Sequence, residues 1–270
     1  MMNSNQQVTI IVFFDWDNTI MASADFLRQV HEETAKRLTQ DSIFLKCKIP
    51  AIATKRRDEI LKELFGEENY IMALQVFQQV YDEIFKPETL QMLSGAKELI
   101  EKLNAANIPV AIISNYTETG IKEHLTLRRI NYSKIVIIGA DTLPQSKPDI
   151  APGLLALEKL NINPQQQKIK ALMIGDGINS DMLFAQNMNT YLNKFNSSCS
   201  GILFNSLLNS DPIFTAQEIE TFMNSNENKN NITVAYGYGR LFTSVRDIIN
   251  PYHIKHRDLA SPSKNHFLLQ

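Results

Sequence analysis

Cysteine is scarce in this chain of 270 residues, with Cys47 and Cys199 the only two. Two thiols are too few for a disulfide framework or a cysteine zinc site. An excess of either charge is lacking as well: 27 Lys and Arg nearly balance 29 Asp and Glu, for a net charge of −2 and a pI near 6.2. No basic field exists to hold nucleic acid or anionic lipid, so neither is expected as a partner. No apolar run approaches the ~18 residues of a membrane span. The opening Met1–Gln7 has no positively charged n-region, so no signal peptide is expected, and a soluble, reducing, cytoplasmic setting follows. Without that signal, the glycosylation-type tripeptides at Asn115, Asn131, Asn196 and Asn231 carry no expectation of modification. His31, His124, His253, His256 and His266 have no metal-ligand spacing and are expected at the surface. Internal repeats are lacking too.

What is present is a large apolar fraction, 44% of residues, in a length that suits one or two domains. Val8–Phe14 is a continuous apolar, β-branched and aromatic run closed by Asp15. Such a run reads as a strand buried on both faces, as in parallel sheets. Val110–Ile113, Ile135–Ile138 and Ala171–Ile174 follow the same pattern, with weaker strand candidates at Gly201–Asn205 and Ile232–Tyr236. Helical patterns at Ala96–Asn104, Glu118–Leu127 and Pro152–Leu160 alternate with them, which predicts βαβ units and a doubly wound, Rossmann-like α/β sheet.

Residues 22–90 break the alternation. Asp25–Leu38, Lys55–Phe65 and Asn69–Phe85 read as amphipathic helices, with Thr54 a candidate N-cap of the second and Gly66 just past its end. Met72, Leu74, Val76, Phe77 and Val80 are expected to pack this module internally. The predicted organisation is thus an α/β core from residues 1–21 and 91–270, with an α-helical insertion at 22–90. Within the core, 206–231 is a polar insertion rich in Asn and Ser, where Thr215 and Glu218 suggest a capping box. Residues 261–270 read as a loose tail.

The chemistry-bearing residues cluster where strands end. In Asp15-Trp16-Asp17-Asn18-Thr19, extended backbone points Asp15 and Asp17 to one side, beyond the carboxyl end of a buried strand. Paired carboxylates there can bind a divalent cation and divide labour between nucleophile and proton carrier. A polar turn closing a strand would look the same. A calcium loop is excluded, since its sixth position is Ile20 rather than Gly and its twelfth is Phe26 rather than Glu. The second acidic cluster, Gly175-Asp176-Gly177-Ile178-Asn179-Ser180-Asp181, has Ser180 where a dinucleotide fingerprint needs glycine. Asp176 at that strand end suits a hard cation such as Mg²⁺, although a helix-capping turn is the alternative. Ser114-Asn115 offers a hydroxyl and an amide for phosphate oxygens, and Lys147-Pro148-Asp149 offers a cation before a helix that Pro152 opens.

These four sites, in this order, resemble the motifs of the haloacid dehalogenase superfamily of phosphohydrolases over about Val8–Asn205. The first is the D-x-D-x-T of residues 15–19. The second is the apolar run ending in Ser114-Asn115, the third Lys147-Pro148, and the fourth Gly175-Asp176 with Asp181. The insertion at 22–90 lies where that family places a type-one cap. The resemblance implies that Asp15 is the nucleophile forming an aspartyl-phosphate. Asp17 becomes the acid and then the base, Ser114 a phosphoryl-oxygen ligand and Lys147 the charge balance. Phosphate binding is expected from Asn18, Thr19, Ser114, Asn115 and Lys147. Mg²⁺ is expected on Asp15, Asp176 and the carbonyl of Asp17, with Asp181 a nearby ligand or support. Asp17 separates the chain from the dehalogenases, which lack that acid.

The expected function is a Mg²⁺-dependent phosphatase for a small phosphorylated metabolite. A phosphosugar mutase using the same intermediate, and a non-catalytic interaction protein working through 206–231 or the tail, are the alternatives. Lys55, Arg56 and Arg57 either bind an anionic substrate or form a solvated basic turn.

Overall fold

The computed structural model describes residues 8–38, 57–86, 90–205 and 231–249, the pairs 207–208 and 211–212, and positions 217 and 221. The chain divides into two compact units, Met1–Ile20 with Met92–Gln270, and Met21–Gln91. Among the described residues, no helix is long and apolar enough to cross a membrane.

The larger unit is built on six parallel strands, β1 (Thr9–Phe14), β2 (Val110–Ile113), β3 (Ile135–Ile138), β4 (Ile169–Gly175), β5 (Ser198–Asn205) and β8 (Ile232–Tyr236). Their order is β3-β2-β1-β4-β5-β8, every pairing parallel. The weaker strand candidates are therefore full members of the sheet. Within the polar stretch 206–231, Leu207–Leu208 (β6) and Asp211–Pro212 (β7) pair antiparallel. The helix candidate at Thr215 and Glu218 and the tail 261–270 lie outside the described residues.

Central strands are apolar over most of their length because both faces are covered. From β1, Ile11 and Phe13 join Ala171 and Met173 of β4 against Ala156 and Leu157 of α6 (Ala151–Lys159) and Phe184, Ala185 and Met188 of α7 (Leu183–Leu192). Ile10, Val12 and Phe14, which alternate with them, are buried as well. The other helices of this unit are α4 (Ala96–Ala105), α5 (Glu118–Leu127) and α8 (Gly237–Ile249). Helix α5 starts on Thr117, whose hydroxyl accepts from the Gly120 N–H at 3.2 Å.

The order reverses at β1, where β2 lies on one side and β4 on the other. In open α/β sheets that switch point leaves a crevice at the carboxyl ends of the strands.

The smaller unit holds α1 (Ala24–Leu38), α2 (Arg57–Phe65) and α3 (Tyr70–Ile84). Val30, Leu61, Ala73, Phe77 and Val80 form its buried cluster. Met72 corrects the packing expectation, since it faces solvent at 49% exposure while neighbouring Ala73 is buried in its place. Gly66 closes α2 at φ +83°, a conformation glycine adopts without strain. Thr54 lies outside the described residues.

Two histidines also depart from expectation. His31 and His124 are both buried, at 6% and 2% exposure. His31 lies against Phe77, ring centroids 5.0 Å apart, and its Nδ1 has no hydrogen-bond partner. Burial, with the Arg57 charge adding to it, pushes its pKa down to about 4, so its ring is neutral at pH 7. His253, His256 and His266 lie outside the described residues.

Candidate active site

The site is assembled from four strand ends. Asp15 directly follows β1, and its N–H still donates to the Ile174 carbonyl of β4 at 2.8 Å, so the parallel ladder fixes its height. Beyond it the chain turns, with the Ile20 N–H on the Trp16 carbonyl at 2.9 Å. Asn18 takes φ +55° in that turn, a left-handed conformation that asparagine tolerates. Asp17 and Asn18 are half-buried and Thr19 is fully buried. Asp176 follows β4, and the side chain of Asn18 hydrogen-bonds it.

Ser114 follows β2, its N–H on the Ile138 carbonyl at 3.0 Å and its Oγ accepting from the Tyr116 N–H at 3.0 Å. Asn115, next along, has a buried Oδ1 without a partner.

Lys147 arrives from the loop after β3. It is 6% exposed, so its ammonium is buried rather than solvated. Its Nζ lies 2.6 Å from Asp15 Oδ1 and 2.5 Å from Asp181 Oδ1. The loop is tied to α7 by Asn187, whose Nδ2 donates to the Pro148 carbonyl at 3.0 Å.

Asp181 sits in a single π-helical turn, Ile178–Met182, ahead of α7. Its Oδ2 accepts the Gly177 N–H at 2.8 Å, which leaves Oδ1 for Lys147. A side chain at Gly175 would run into the Asp181 carboxylate, so the residue before Asp176 has room only for hydrogen. Sequence reasoning offered ligand or support for Asp181 and did not anticipate its pairing with Lys147. The two lie in different loops, and their spacing carries no periodic signal.

Electrostatics follow from this crowding. Burial drives Asp15 up to about 7; Lys147 opposes the rise, while the charges of Asp181 and Asp17 add to it. Asp176 is raised well above the carboxylate range by burial, then by Asp15 and Asp181, against the hydrogen bond from Asn18 and the charge of Lys147. Burial alone would lower Lys147, but the charges of Asp15 and Asp181 outweigh it and hold the ammonium above its ordinary value.

Among the described residues, Asp15, Asp176 and Asp181 are the group of acidic side chains whose oxygens could share a metal ion, all lying within 4.8 Å of one another. Were all three buried carboxylates ionised they would outnumber the single ammonium, an imbalance that a bound cation would relieve. Oxygen donors of that kind fit a hard divalent cation. Arg57, by contrast, is engaged within the helical unit, with Nε 2.9 Å from Asp58 Oδ1 and its guanidinium 5.9 Å from the Phe77 ring centroid. Lys55 and Arg56 lie outside the described residues.

The chain is similar to known proteins in sequence and in fold. The profile of a family described as haloacid dehalogenase-like hydrolase matches residues 12–192. The phosphoglycolate phosphatase of Psychrobacter arcticus is 34% identical over 131 residues, 48% of this chain and 54% of that one. That of Aquifex aeolicus is 28% identical over 176 residues, 62% of this chain and 75% of that one. The alignment therefore spans about half the length of the first relative and three-quarters of the second. Among solved structures, a hydrolase from Pseudomonas syringae superposes with a TM-score of 0.65 at 20% identity, covering 90% of this chain and 99% of that one. At that identity the likeness is one of fold.

Proposed function

Given that the chain belongs to the haloacid dehalogenase-like hydrolase family, we propose that it is a Mg²⁺-dependent phosphatase hydrolysing a small phosphate monoester through an aspartyl-phosphate. The observation that carries the proposal is the buried cluster of Asp15, Lys147, Asp181 and Asp176 at the carboxyl ends of adjacent strands.

Asp15 attacks phosphorus, forming an acyl phosphate as the bond to the alcohol oxygen breaks. Asp17, protonated at that moment, gives its proton to the departing oxygen. It then takes a proton from the water that attacks the acyl phosphate, releasing inorganic phosphate and restoring the Asp15 carboxylate. Proton transfer of this kind is typically worth ~10²–10⁴-fold. Ser114 and Asn115 hold phosphoryl oxygens. Lys147, clamped between Asp15 and Asp181, offsets charge on the phosphoryl group and orients the nucleophile.

Asp15 and Asp176, with the Asp17 carbonyl, would hold Mg²⁺, while Asp181 remains with Lys147. When bound, the cation neutralises phosphate charge and keeps the nucleophile ionised near neutral pH. Asn18 steadies Asp176, and Thr19 lies fully buried in the same turn. By its place in the chain, between Asp17 and Ser114, the helical unit Met21–Gln91 corresponds to the family's cap, the element expected to select small substrates.

The relatives' activity makes 2-phosphoglycolate the first substrate to test. Release of inorganic phosphate from it or from p-nitrophenyl phosphate, dependent on Mg²⁺ and lost in folded Asp15→Asn, is the expected result. Undiminished turnover in that variant would overturn the assignment. A phosphorylated isomer in place of inorganic phosphate, with a sugar phosphate as substrate, would make the enzyme a mutase.

A further inference from the structure

The catalytic reading leaves one buried aromatic cluster without a task. Trp16 lies between Asp15 and Asp17 in sequence, and alternation along the extended chain sends its side chain away from theirs. It is 2% exposed and meets the ring of His124, centroids 6.0 Å apart at a 49° tilt. On another side His124 meets Tyr116, at 5.9 Å and 52°. Tyr116 belongs to the loop carrying Ser114, since its N–H donates to the Ser114 Oγ at 3.0 Å. Its carbonyl accepts from Ala140 at 2.9 Å, which ties that loop to the one after β3. One imidazole thus touches both the segment carrying the nucleophile and acid and the segment carrying the phosphoryl-oxygen ligand.

The surroundings fix that ring. Gly120, one turn before His124 on α5, has no side chain, and a Cβ there would come within 2.5 Å of the Tyr116 ring. Arg128, one turn after, brings its Nη1 to 3.2 Å from both the Nδ1 and the carbonyl oxygen of His124. A guanidinium only donates, so Nδ1 must present its lone pair and the proton must sit on Nε2. Burial, then the Arg128 charge, pushes the His124 pKa down to about 4, in keeping with a neutral ring.

We propose that His124 is a positioning residue that sets the Asp15–Asp17 segment against Ser114 by wedging between Trp16 and Tyr116. It touches no reacting atom, and its effect passes through those two rings. The proposal rests on the catalytic reading of Asp15, Asp17 and Ser114. Displacing reacting groups by about 1 Å costs ~10²-fold in rate, so the loss should appear in kcat.

The test compares wild type, His124→Ala and His124→Phe, using p-nitrophenyl phosphate with Mg²⁺ and the emission of Trp16, the chain's one tryptophan. For His124→Ala the expected results are a kcat lower by roughly 10–100-fold, KM within about threefold of wild type, and Trp16 emission shifted to longer wavelength. His124→Phe, which keeps a ring in both contacts, should return kcat to within about fivefold and restore the emission. If His124→Ala does not fold, His124→Phe against His124→Leu supplies the same comparison, with the ring rather than the volume as the variable. Wild-type kcat in folded His124→Ala, a loss confined to KM, or Leu serving as well as Phe would each overturn the proposal. An inactive wild type would instead overturn the phosphatase reading, and unchanged Trp16 emission in His124→Ala would remove the contact on which the wedge depends.

Discussion

Mg²⁺ should stabilise the protein more at pH 8 than at pH 6, and the structure sets the size of the difference. Burial and neighbouring carboxylates raise Asp15 to about 7 in the absence of a cation. A carboxyl whose folded pKa lies above its unfolded value contributes stability that is complete below the unfolded pKa and lost as pH rises through the folded one. The cation-free protein should therefore lose stability from about pH 4 to pH 7 at this site, the reverse of an ordinary ion-paired aspartate. Binding Mg²⁺ needs the ionised form. At pH 6 roughly one Asp15 carboxyl in eleven is ionised, and at pH 8 about ten in eleven, which makes the apparent affinity about tenfold better, or about 1.4 kcal/mol. Asp176 is shifted in the same direction and adds to the difference. With Mg²⁺ well above its dissociation constant at both pH values, the whole difference appears as stability. For a domain of this size it corresponds to a melting shift larger by ~2–4 °C at pH 8. Differential scanning fluorimetry with and without MgCl₂ measures it, and Asp15→Asn should remove most of the pH dependence. Equal Mg²⁺-induced shifts at both pH values would refute the account of this cluster.

Further outcomes follow from other groups. Asp17→Asn should reduce kcat by ~10²–10⁴-fold, as expected of a lost proton carrier; steady-state kinetics showing a change in KM alone would contradict that role. Asp181→Asn keeps an acceptor for the Gly177 N–H but weakens the clamp on Lys147, so kcat should fall by ~10²-fold in a protein that still folds. Unaltered turnover there would remove Lys147 orientation as a requirement. His31, with its pKa lowered to about 4, stabilises the helical unit fully above pH 6.5, a contribution lost as pH falls through that window. Hydrogen exchange in α1 and α3 should accelerate between pH 6.5 and 4.5 in wild type more than in His31→Phe. The same pH response in both proteins would dismiss the histidine.

The strands were legible because a parallel sheet covered on both faces leaves continuous apolar runs, and Val110–Ile113 and Ile135–Ile138 form strands with those bounds. Asp15, Asp176 and Ser114 were legible for a related reason: each is the first polar residue after such a run or lies one position beyond it. Partnerships were not. Lys147 and Asp181 meet because two loops converge, and nothing in either loop's composition encodes the meeting. Helix α8 escaped notice because Gly237 and Gly239 begin it with poor helix formers, although Leu241, Phe242 and Val245 supply its buried face. The two buried histidines were misjudged because a solitary imidazole gives no periodic sign of burial. Only the one-turn spacing of His124 and Arg128 marks such a contact in advance.

The position of β1 in the sheet also governs how the chain meets its surroundings during synthesis. Thr9 pairs with Ile169, about 160 residues later, and Val12 pairs with Val110. At ~5–20 residues per second, the ribosome takes roughly 5–20 s to supply Val110, the earlier of these partners. During that interval the segment Thr9–Phe14, apolar and β-prone, has no native edge to join, while the helices of Met21–Gln91 are already complete in sequence. Short segments of that composition are prone to pair with one another across chains. Yield of soluble protein should therefore depend on the chaperones that shield a nascent apolar strand, more than for a fold in which consecutive strands pair at once.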